Sequence, residues 1–460
     1  MKKVISFFKT DVKIINSYFL FAVIFIILIS IGYTSYALFS FTKTSNNVIE
    51  ATVGKIEKKP NAPVLASNMI PVYYDETTET WKKADLANPN NTYKWYNYNN
   101  GMWANAVTVT SSSRSKYLNA SIGTAISMND ITTMWVWIPR FNAATPSNYN
   151  GGTKTSPGAI DVTFVKSNET AIDAFTFGNK ELSGFWYAKF ETSHSTLTSS
   201  TTNNNLGCSN ERCSNANGII IKPNVTSLRY NNVSNFFFAS RSMEKSGNSF
   251  GFVSTEVDTH MSKNNEWGAV AYLTQSIYGR CTNSTTCSEV GINNNSGYLT
   301  GYGAPAGSSS SVANGAYNTT LGKNASTTGT IYGIYDMNGG AVEYVMGVLA
   351  DTNGKPRSGY NSSSNSGFTG MLNDGTTYTG IAFPDSKYYN LYTGSSYTGH
   401  ALTETAGWYS DFAGFVFTGS SWFFRGGNYN TSALSGVFFF NNRNGDSSNI
   451  SSSRPVISNK

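Results

Sequence analysis

Short aromatic-rich segments separated by turn residues constrain the fold of this chain more than any other feature. The stretches IPVYY (70–74), ETWKKAD (79–85) and MWANAVTV (102–109) mix aromatic and β-branched residues with polar ones. Such segments favour strands, and the Asn-Asn and Asn-Gly pairs between them favour turns. Aromatic residues make up 14% of the chain, enough to build a core. The sequence therefore predicts a β-rich α+β protein with long loops.

The charge content excludes several classes of function. Charged residues are 13% of the chain, about half the share of an ordinary soluble domain, and Asn, Ser, Thr and Gly supply the polar surface instead. The net charge of +6 is spread thinly, which gives little support for a nucleic-acid groove. The three histidines, at 194, 260 and 400, are too dispersed for a three-histidine metal site. We therefore expect no nucleic-acid partner and no cofactor.

The N-terminus indicates export. Four lysines precede an apolar run at 18–31 that tapers to Phe39, about 22 residues when counted generously and long enough to span a bilayer. The lysines would keep that end cytoplasmic, so the rest of the chain would lie outside. A cleaved signal peptide is the alternative, with cleavage after Ala37 in the small-x-small pattern Ser-Tyr-Ala. The first interpretation predicts a cell-surface protein anchored in the membrane, and the second a secreted one.

The four cysteines fit an oxidising compartment. They form two close pairs in Asn/Ser-rich stretches, Cys208 with Cys213 and Cys281 with Cys287. This spacing predicts two local disulfides. A zinc site would prefer tighter CxxC pairs or a histidine, and free thiols are the remaining alternative.

Changes in composition divide the chain into four regions. Residues 1–40 are the predicted anchor or signal peptide, and 41–65 a polar stalk. Residues 66–130 form a predicted small β-rich module. Residues 131–460 form the predicted main domain, in which MWVWIPRF and GFWYAKFETS read as strands and WGAVAYLTQSIYG as an amphipathic helix.

The order of motifs in the main domain resembles the formylglycine-generating-enzyme branch of the C-type lectin fold. The resemblance covers about 325 residues and is carried by WVWIPRF (135–141), GFWYAKFETS (184–193), WGAVAYLTQ (267–275), IYDMNGGAVEYV (334–345), FFRGG (423–427), SGVFFF (435–440) and RPV (454–456). It implies a C-type-lectin-like fold. One fold hosts many activities, so it does not by itself imply a function.

The enzymatic activity of that family is not expected here. The resemblance implies a copper-binding cysteine pair after the Arg-Gly-Gly motif, but residues 428–440 contain no cysteine. Related iron enzymes that form sulfoxides need a histidine cluster, which this chain lacks. We therefore predict that this chain is not an enzyme and has no catalytic residues.

Other motif residues are predicted to be structural. Gly426 and Gly427 would allow positive φ in a tight turn. Glu343 lies in an apolar stretch and needs a cationic partner if it is buried. Arg425 and Arg454 are the candidates, so we expect the three charged residues to form a buried ion-pair network.

The C-terminal segment 422–457 looks like the variable segment of diversity-generating-retroelement proteins, which carry randomised ligand-contacting residues on a lectin fold. The resemblance and the side-chain types imply a binding face, with rigid aromatic anchors and adaptable polar residues. The expected anchors are Phe424, Tyr429, Leu434, Phe440 and Arg443. The expected polar residues around them are Asn430, Ser432, Asn442 and Asn444.

These inferences predict a surface-exposed, non-enzymatic protein that presents a variable binding site. Its partner would be a protein or a glycan on another cell or particle, and its N-terminal helix would contact the membrane. Two alternatives stay open at this stage. One is an adhesin or host-interaction protein of bacterial or prophage origin without diversification. The other is a metalloenzyme like the formylglycine-generating enzymes.

Overall fold

A computed structural model describes residues 59–87, 95–357 and 383–460, together with the backbone of four short strands outside those ranges. The predicted membrane or signal segment lies almost wholly outside the described residues. Within them, no helix is long and apolar enough to span a bilayer. The chain divides into two compact units, 1–59 and 60–460.

The described residues are rich in short strands, as the sequence predicts. The strands are β1 (Phe39–Lys43), β2 (Ile49–Val53), β3 (Ile70–Asp75), β4 (Thr80–Lys83), β5 (Asn105–Val109), β6 (Ile131–Pro139), β7 (Phe141–Ala143), β8 (Val162–Phe164), β9 (Thr176–Phe177), β10 (Lys180–Glu181), β11 (Gly184–Ala188), β12 (Ser193–His194), β13 (Ile219–Ile220), β14 (Val257–Met261), β15 (Val342–Leu349), β16 (Gly370–Met371), β17 (Thr377–Tyr378), β18 (Asn390–Tyr392), β19 (Trp422–Arg425), β20 (Phe440–Arg443), β21 (Ser451–Ser452) and β22 (Pro455–Asn459).

Helices are fewer and short. The α-helices are α1 (Ser111–Leu118), α2 (Val233–Ser242), α3 (Asn264–Thr274) and α4 (Thr320–Asn324). Short 3-10 helices lie at Tyr98–Asn100, Asn148–Gly151, Asp173–Phe175, Ser214–Gly218, Ser386–Tyr388, Thr403–Thr405, Trp408–Ser410 and Ser432–Leu434. The helix predicted over 267–279 is confirmed as α3, which begins three residues earlier and ends five earlier.

Two sheets organise the larger unit. The first is antiparallel and has the order β14-β22-β11-β6-β5-β3-β4. The second has the order β18-β15-β19-β20, with β21 also paired to β15. The chain's last strand, β22, lies inside the first sheet between β14 and β11.

The predicted boundary between 66–130 and 131–460 falls inside one sheet. Strands β3, β4 and β5 belong to the first region, yet β5 pairs with β6 from Asn105↔Val136 to Val109↔Ile131. The first three strands therefore extend the main sheet rather than forming a separate one. Upstream, β1 and β2 form an antiparallel pair in a span that the sequence predicts as a polar stalk.

The core sits around the middle strands of the first sheet. All but one residue of β6 are buried, and Trp137 on β6 lies 5.3 Å from Trp186 on β11 between ring centroids. Strands covered on both faces show continuous apolar runs rather than alternation. Each buried indole contributes on the order of 2–3 kcal/mol of hydrophobic stabilisation. This is why the aromatic runs mark the central strands.

Arg454 joins the two sheets from the two-residue connection between β21 and β22. Its Nε donates to Oε2 of Glu343 on β15 at 2.6 Å, and its Nη2 donates to Oε1 of the same carboxylate. Its Nη1 donates to the carbonyl of Ala188 on β11 at 3.0 Å. Arg454 and Glu343 are at most 1% exposed. The predicted structural pairing of Glu343 is thus confirmed with Arg454.

Arg425 does not belong to that pair, although Arg425 and Glu343 are cross-strand neighbours. Arg454 occupies both carboxylate oxygens, and the Arg425 guanidinium instead donates to the carbonyl of Ala401 at 2.7 Å and to Oδ1 of Asn264 at 3.2 Å. Burial lowers the pKa of Arg425 to about 10. The expected three-residue ion-pair network is wrong in this respect.

Two more carboxylates lie buried near Glu343. The amide of Ala341 donates to Glu191 at 2.8 Å, and the amide of Gly301 donates to Asp336 at 2.8 Å. Burial, reinforced by their mutual repulsion, raises the pKa of Glu191 well above its ordinary value. Burial also raises the pKa of Asp336 and of Glu343, against the opposing charge of Arg454.

Glu343→Gln is expected to destabilise the fold by about 3–5 kcal/mol, because it removes the charged partner of a buried arginine. Urea unfolding monitored by circular dichroism measures the change. Glu76→Gln is the control, since Glu76 pairs with Lys323 at 2.7 Å but is 61% exposed, and surface pairs contribute little. Equal stability of Glu343→Gln and wild type would contradict the role of the pair.

Candidate functional site

The C-terminal segment forms a frame with an exposed loop. Strands β19 and β20 pair antiparallel, with Trp422 opposite Arg443 and Arg425 opposite Phe440. All four residues of β19 are buried, whereas the last three of β20 are half-buried. The connection between them includes the 3-10 turn Ser432–Leu434.

Two expected anchors belong to the core. Phe424 is 7% exposed and Phe440 is 2% exposed. The ring of Phe424 packs edge-on against Tyr344 at 6.4 Å, and Phe440 packs against Phe423 at 6.3 Å. Because both faces of β19 are covered, strand alternation does not leave one side free, and the prediction of an exposed Phe424 and Phe440 is wrong.

Other predicted contact residues divide between the two faces of β20. Asn442 donates from Nδ2 to the carbonyl of Phe415 at 3.0 Å. Arg443 points to the opposite face, because successive strand residues alternate, and its Nε donates to Asp446 at 3.1 Å. The half-buried Asn444 lies beside the same aspartate. A single face therefore does not contain both Asn442 and Arg443.

The loop before β20 carries the remaining predicted residues. Tyr429 is half-buried, with its ring 4.9 Å from that of Tyr298. Asn430 is exposed and Ser432 is half-buried with a φ of +53°. Leu434 is 50% exposed, so it is accessible as predicted.

A segment that the sequence did not single out completes this surface. Phe412 donates its amide to the carbonyl of Leu434 at 2.9 Å, and Phe440 donates its amide to the carbonyl of Phe412 at 3.1 Å. The Phe412 side chain is 42% exposed and its ring lies 6.0 Å from Phe439. A Cβ at Gly414 would lie 2.8 Å from the Phe412 ring and 2.6 Å from Oδ1 of Asn441.

Four residues thus share one accessible region: Phe412, Leu434, Asn441 and Arg443, here called the Phe412 patch. Asn441 and Arg443 are two residues apart on β20 and point the same way. Phe412 is one of two phenylalanines that are exposed in the described part of the chain, and the other, Phe417, is five residues away. The run DFAGFVF (411–417) contains both rings and could have signalled this surface.

Buried polar groups hold the frame of the patch. Asp411 is 3% exposed and accepts the amide of Phe438 at 3.0 Å. Its carboxylate lies where a Cβ at Gly436 would fall, 2.1 Å away. Burial raises the pKa of Asp411 well above its ordinary value. The loop geometry therefore depends on one aspartate and on the absence of a side chain at Gly436.

The cysteines and histidines are engaged elsewhere. The predicted disulfides Cys208–Cys213 and Cys281–Cys287 are confirmed. Among the described residues, no group of three or more His, Cys, Asp or Glu side chains has a geometry that could hold a metal ion. The three histidines lie apart, each bonded to a different group: His194 to a carbonyl, His260 to Glu266 and His400 to Asp173.

An apolar cavity lies at the β3–β4 end of the first sheet. It has a volume of about 560 Å³, and Leu86 at its edge is 54% exposed. Its Lys83 ammonium donates to the carbonyls of Tyr117, Leu118 and Ala120. That cation is therefore occupied by the end of α1 rather than directed at a ligand.

No protein-family model and no curated protein sequence matches this chain.

Gly427→Ala is expected to destabilise the protein by about 1–3 kcal/mol more than Gly354→Ala, through overpacking. Both glycines have a positive φ, +69° and +71°, so both substitutions carry the same backbone strain. A Cβ at Gly427 would lie 2.4 Å from Oγ of Ser435, whereas nothing lies within 4 Å at Gly354. The Ser435 hydroxyl donates to the carbonyl of Gly426 at 2.6 Å, so it is not free to move away.

Chemical unfolding of both variants measures the difference. Equal losses of stability at the two glycines would show that the turn at Gly427 relaxes and does not fix the loop.

Proposed function

We propose that this chain is a non-enzymatic ligand-binding protein and that the Phe412 patch is its binding surface. The observation that carries the proposal is the exposure of Phe412 and Leu434 side by side, bordered by Asn441 and Arg443. Binding hot spots are typically apolar anchors surrounded by polar groups. A patch of this composition fits a protein partner better than a small apolar ligand.

The proposal includes a C-type-lectin-like fold of the formylglycine-generating-enzyme branch. It treats residues 422–457 as a segment of the diversity-generating-retroelement type. In this view the buried strand β19 and the turn at Gly426 and Gly427 form the constant frame. Tyr429, Asn430, Leu434 and Arg443 would vary around it. A rigid frame lowers the entropy lost on binding, because less of the surface must be ordered.

The proposed location is the cell surface. The lysine-flanked apolar run at 18–31 would anchor the chain, or be removed after Ala37. Two disulfides suit an oxidising compartment. A partner on another cell or particle would be accessible to a patch carried outside the membrane.

The test uses arrays of surface proteins and of glycans, probed with the full-length chain in detergent. Each protein or glycan that binds is titrated against wild type, Phe412→Ser, Leu434→Ser and Leu86→Ser. The last is a matched control, since Leu86 is 54% and Leu434 50% exposed. Leu86 also lines the apolar cavity of about 560 Å³.

Both patch variants are expected to bind a protein partner at least tenfold more weakly, a loss of about 1.4 kcal/mol. Both should remain folded, with stability lowered by about 1 kcal/mol, because each side chain is about half exposed. Leu86→Ser should bind like wild type. The proposal fails if Leu86→Ser alone weakens binding, or if the patch variants bind every partner as tightly as wild type.

A further inference from the structure

A second, polar cavity lies between the start of α3 and the segments around β9 and β18. Its volume is about 260 Å³, just below the usual range for small-molecule pockets. It shares no residue with the Phe412 patch. The lining residues are Asp173, Thr176, Gly178, Lys263, Asn265, Ser386, Lys387, Tyr389 and Asn390.

Two nearly buried polar side chains line this cavity, and one of them has an oxygen without a hydrogen-bond partner. Asn265 is 2% exposed, and its Oδ1 has no hydrogen-bond partner. Lys263 is 3% exposed, and its ammonium forms an ion pair with Glu266, with Nζ 3.7 Å from Oε1, and lies 5.2 Å from the centre of the Phe177 ring. A buried polar group left unpaired costs about 1–3 kcal/mol. A ligand group that donates a hydrogen bond to Oδ1 of Asn265 would remove that cost.

The surrounding contacts fix the backbone of these two residues. The backbone amide of Asn265 donates to Oδ1 of Asn390 at 2.9 Å. Glu266 accepts the amide of Lys263 at 2.8 Å and bonds Nε2 of His260 at 2.9 Å. The positions of Lys263 and Asn265 are therefore set by the helix start rather than by a mobile loop.

The charges around the cavity have both signs. Lys387 is the second cation, with its Nζ 3.3 Å from Asp258. Asp173 supplies a carboxylate that also bonds Nε2 of His400 at 2.8 Å. The cavity thus offers two ammonium donors, and it offers two acceptors in Oδ1 of Asn265 and the carboxylate of Asp173.

We propose that this cavity binds a small carboxylate that carries a neighbouring hydroxyl or ammonium group. The ligand carboxylate pairs with Lys263 and Lys387, and its hydroxyl or ammonium donates to Oδ1 of Asn265 and to Asp173. Hydroxy acids, including sugar acids, and amino acids share this chemistry. The cavity volume limits the ligand to about the size of one monosaccharide.

Calorimetric titration of the full-length chain tests the site with four probes: D-glucuronate, L-serine, propionate and D-glucose. Glucuronate or serine is expected to bind at least tenfold more tightly than propionate, which has no donor, and glucose, which has no carboxylate. Binding of glucuronate alone identifies a hydroxy-acid site, and binding of serine alone an amino-acid site.

Lys263→Met and Asn265→Leu are each expected to weaken this binding at least tenfold. If either of these buried substitutions prevents folding, Lys387→Met serves instead, because Lys387 is 30% exposed. It is also expected to weaken probe binding at least tenfold. The exposed Lys355→Met and the patch variant Phe412→Ser should bind the probe like wild type. The inference is overturned if no probe binds at 10 mM, if propionate and glucose bind as tightly as the other two, or if folded lysine variants retain full affinity.

Discussion

The buried pair between Arg454 and Glu343 is the interaction on which the rest of the structure depends. Arg454 stands between β21, which pairs with β15 in the second sheet, and β22, which lies inside the first. Its guanidinium bonds Glu343 on β15 and the carbonyl of Ala188 at the end of β11. One side chain therefore fixes both sheets and the end of the chain, and two buried charges are tolerated because each hydrogen-bonds the other.

This clamp explains how the C-terminal segment can carry a loop without losing its shape. β19 and β22 each have a neighbouring strand on both sides. Arg425, the last residue of β19, donates a hydrogen bond to the carbonyl of Ala401. Between them, residues 428–434 reach the surface and end beside Phe412. Rigid strands with an exposed connection are the arrangement in which loop residues change most freely.

Local sequence patterns predicted the features that depend on residues close together in the chain, namely the central strands and the two disulfides. The aromatic runs predicted β6 and β11, and the close cysteine spacing predicted both disulfides, because strand burial and short loops are readable within a few positions. The charge in the apolar run around Glu343 predicted a buried pair with arginine. The sequence did not show that Glu343 pairs with Arg454 and not with Arg425. That choice depends on how the two sheets pack together, and the sequence around one strand carries no information about this packing.

Packing between segments that are distant in the chain explains the predictions that were wrong. Phe424 and Phe440 are buried because β15 packs beside β19 and the segment at 412–415 packs beside β20, and each neighbour is distant in sequence from the strand that it contacts. The predicted boundary at 130 failed for the same reason, since the β5–β6 pairing crosses it. The cavity at Lys263 gave no sequence signal, because its lining comes from three separate stretches of the chain.

The most direct test of a clamped frame with an exposed loop is hydrogen–deuterium exchange of the native protein, resolved to peptides. Amides of β19 and β22 should exchange only through global unfolding, whereas amides of residues 430–434 should exchange orders of magnitude faster through local opening. Comparable protection of the loop and the two strands, or rapid exchange in β22, would contradict the account.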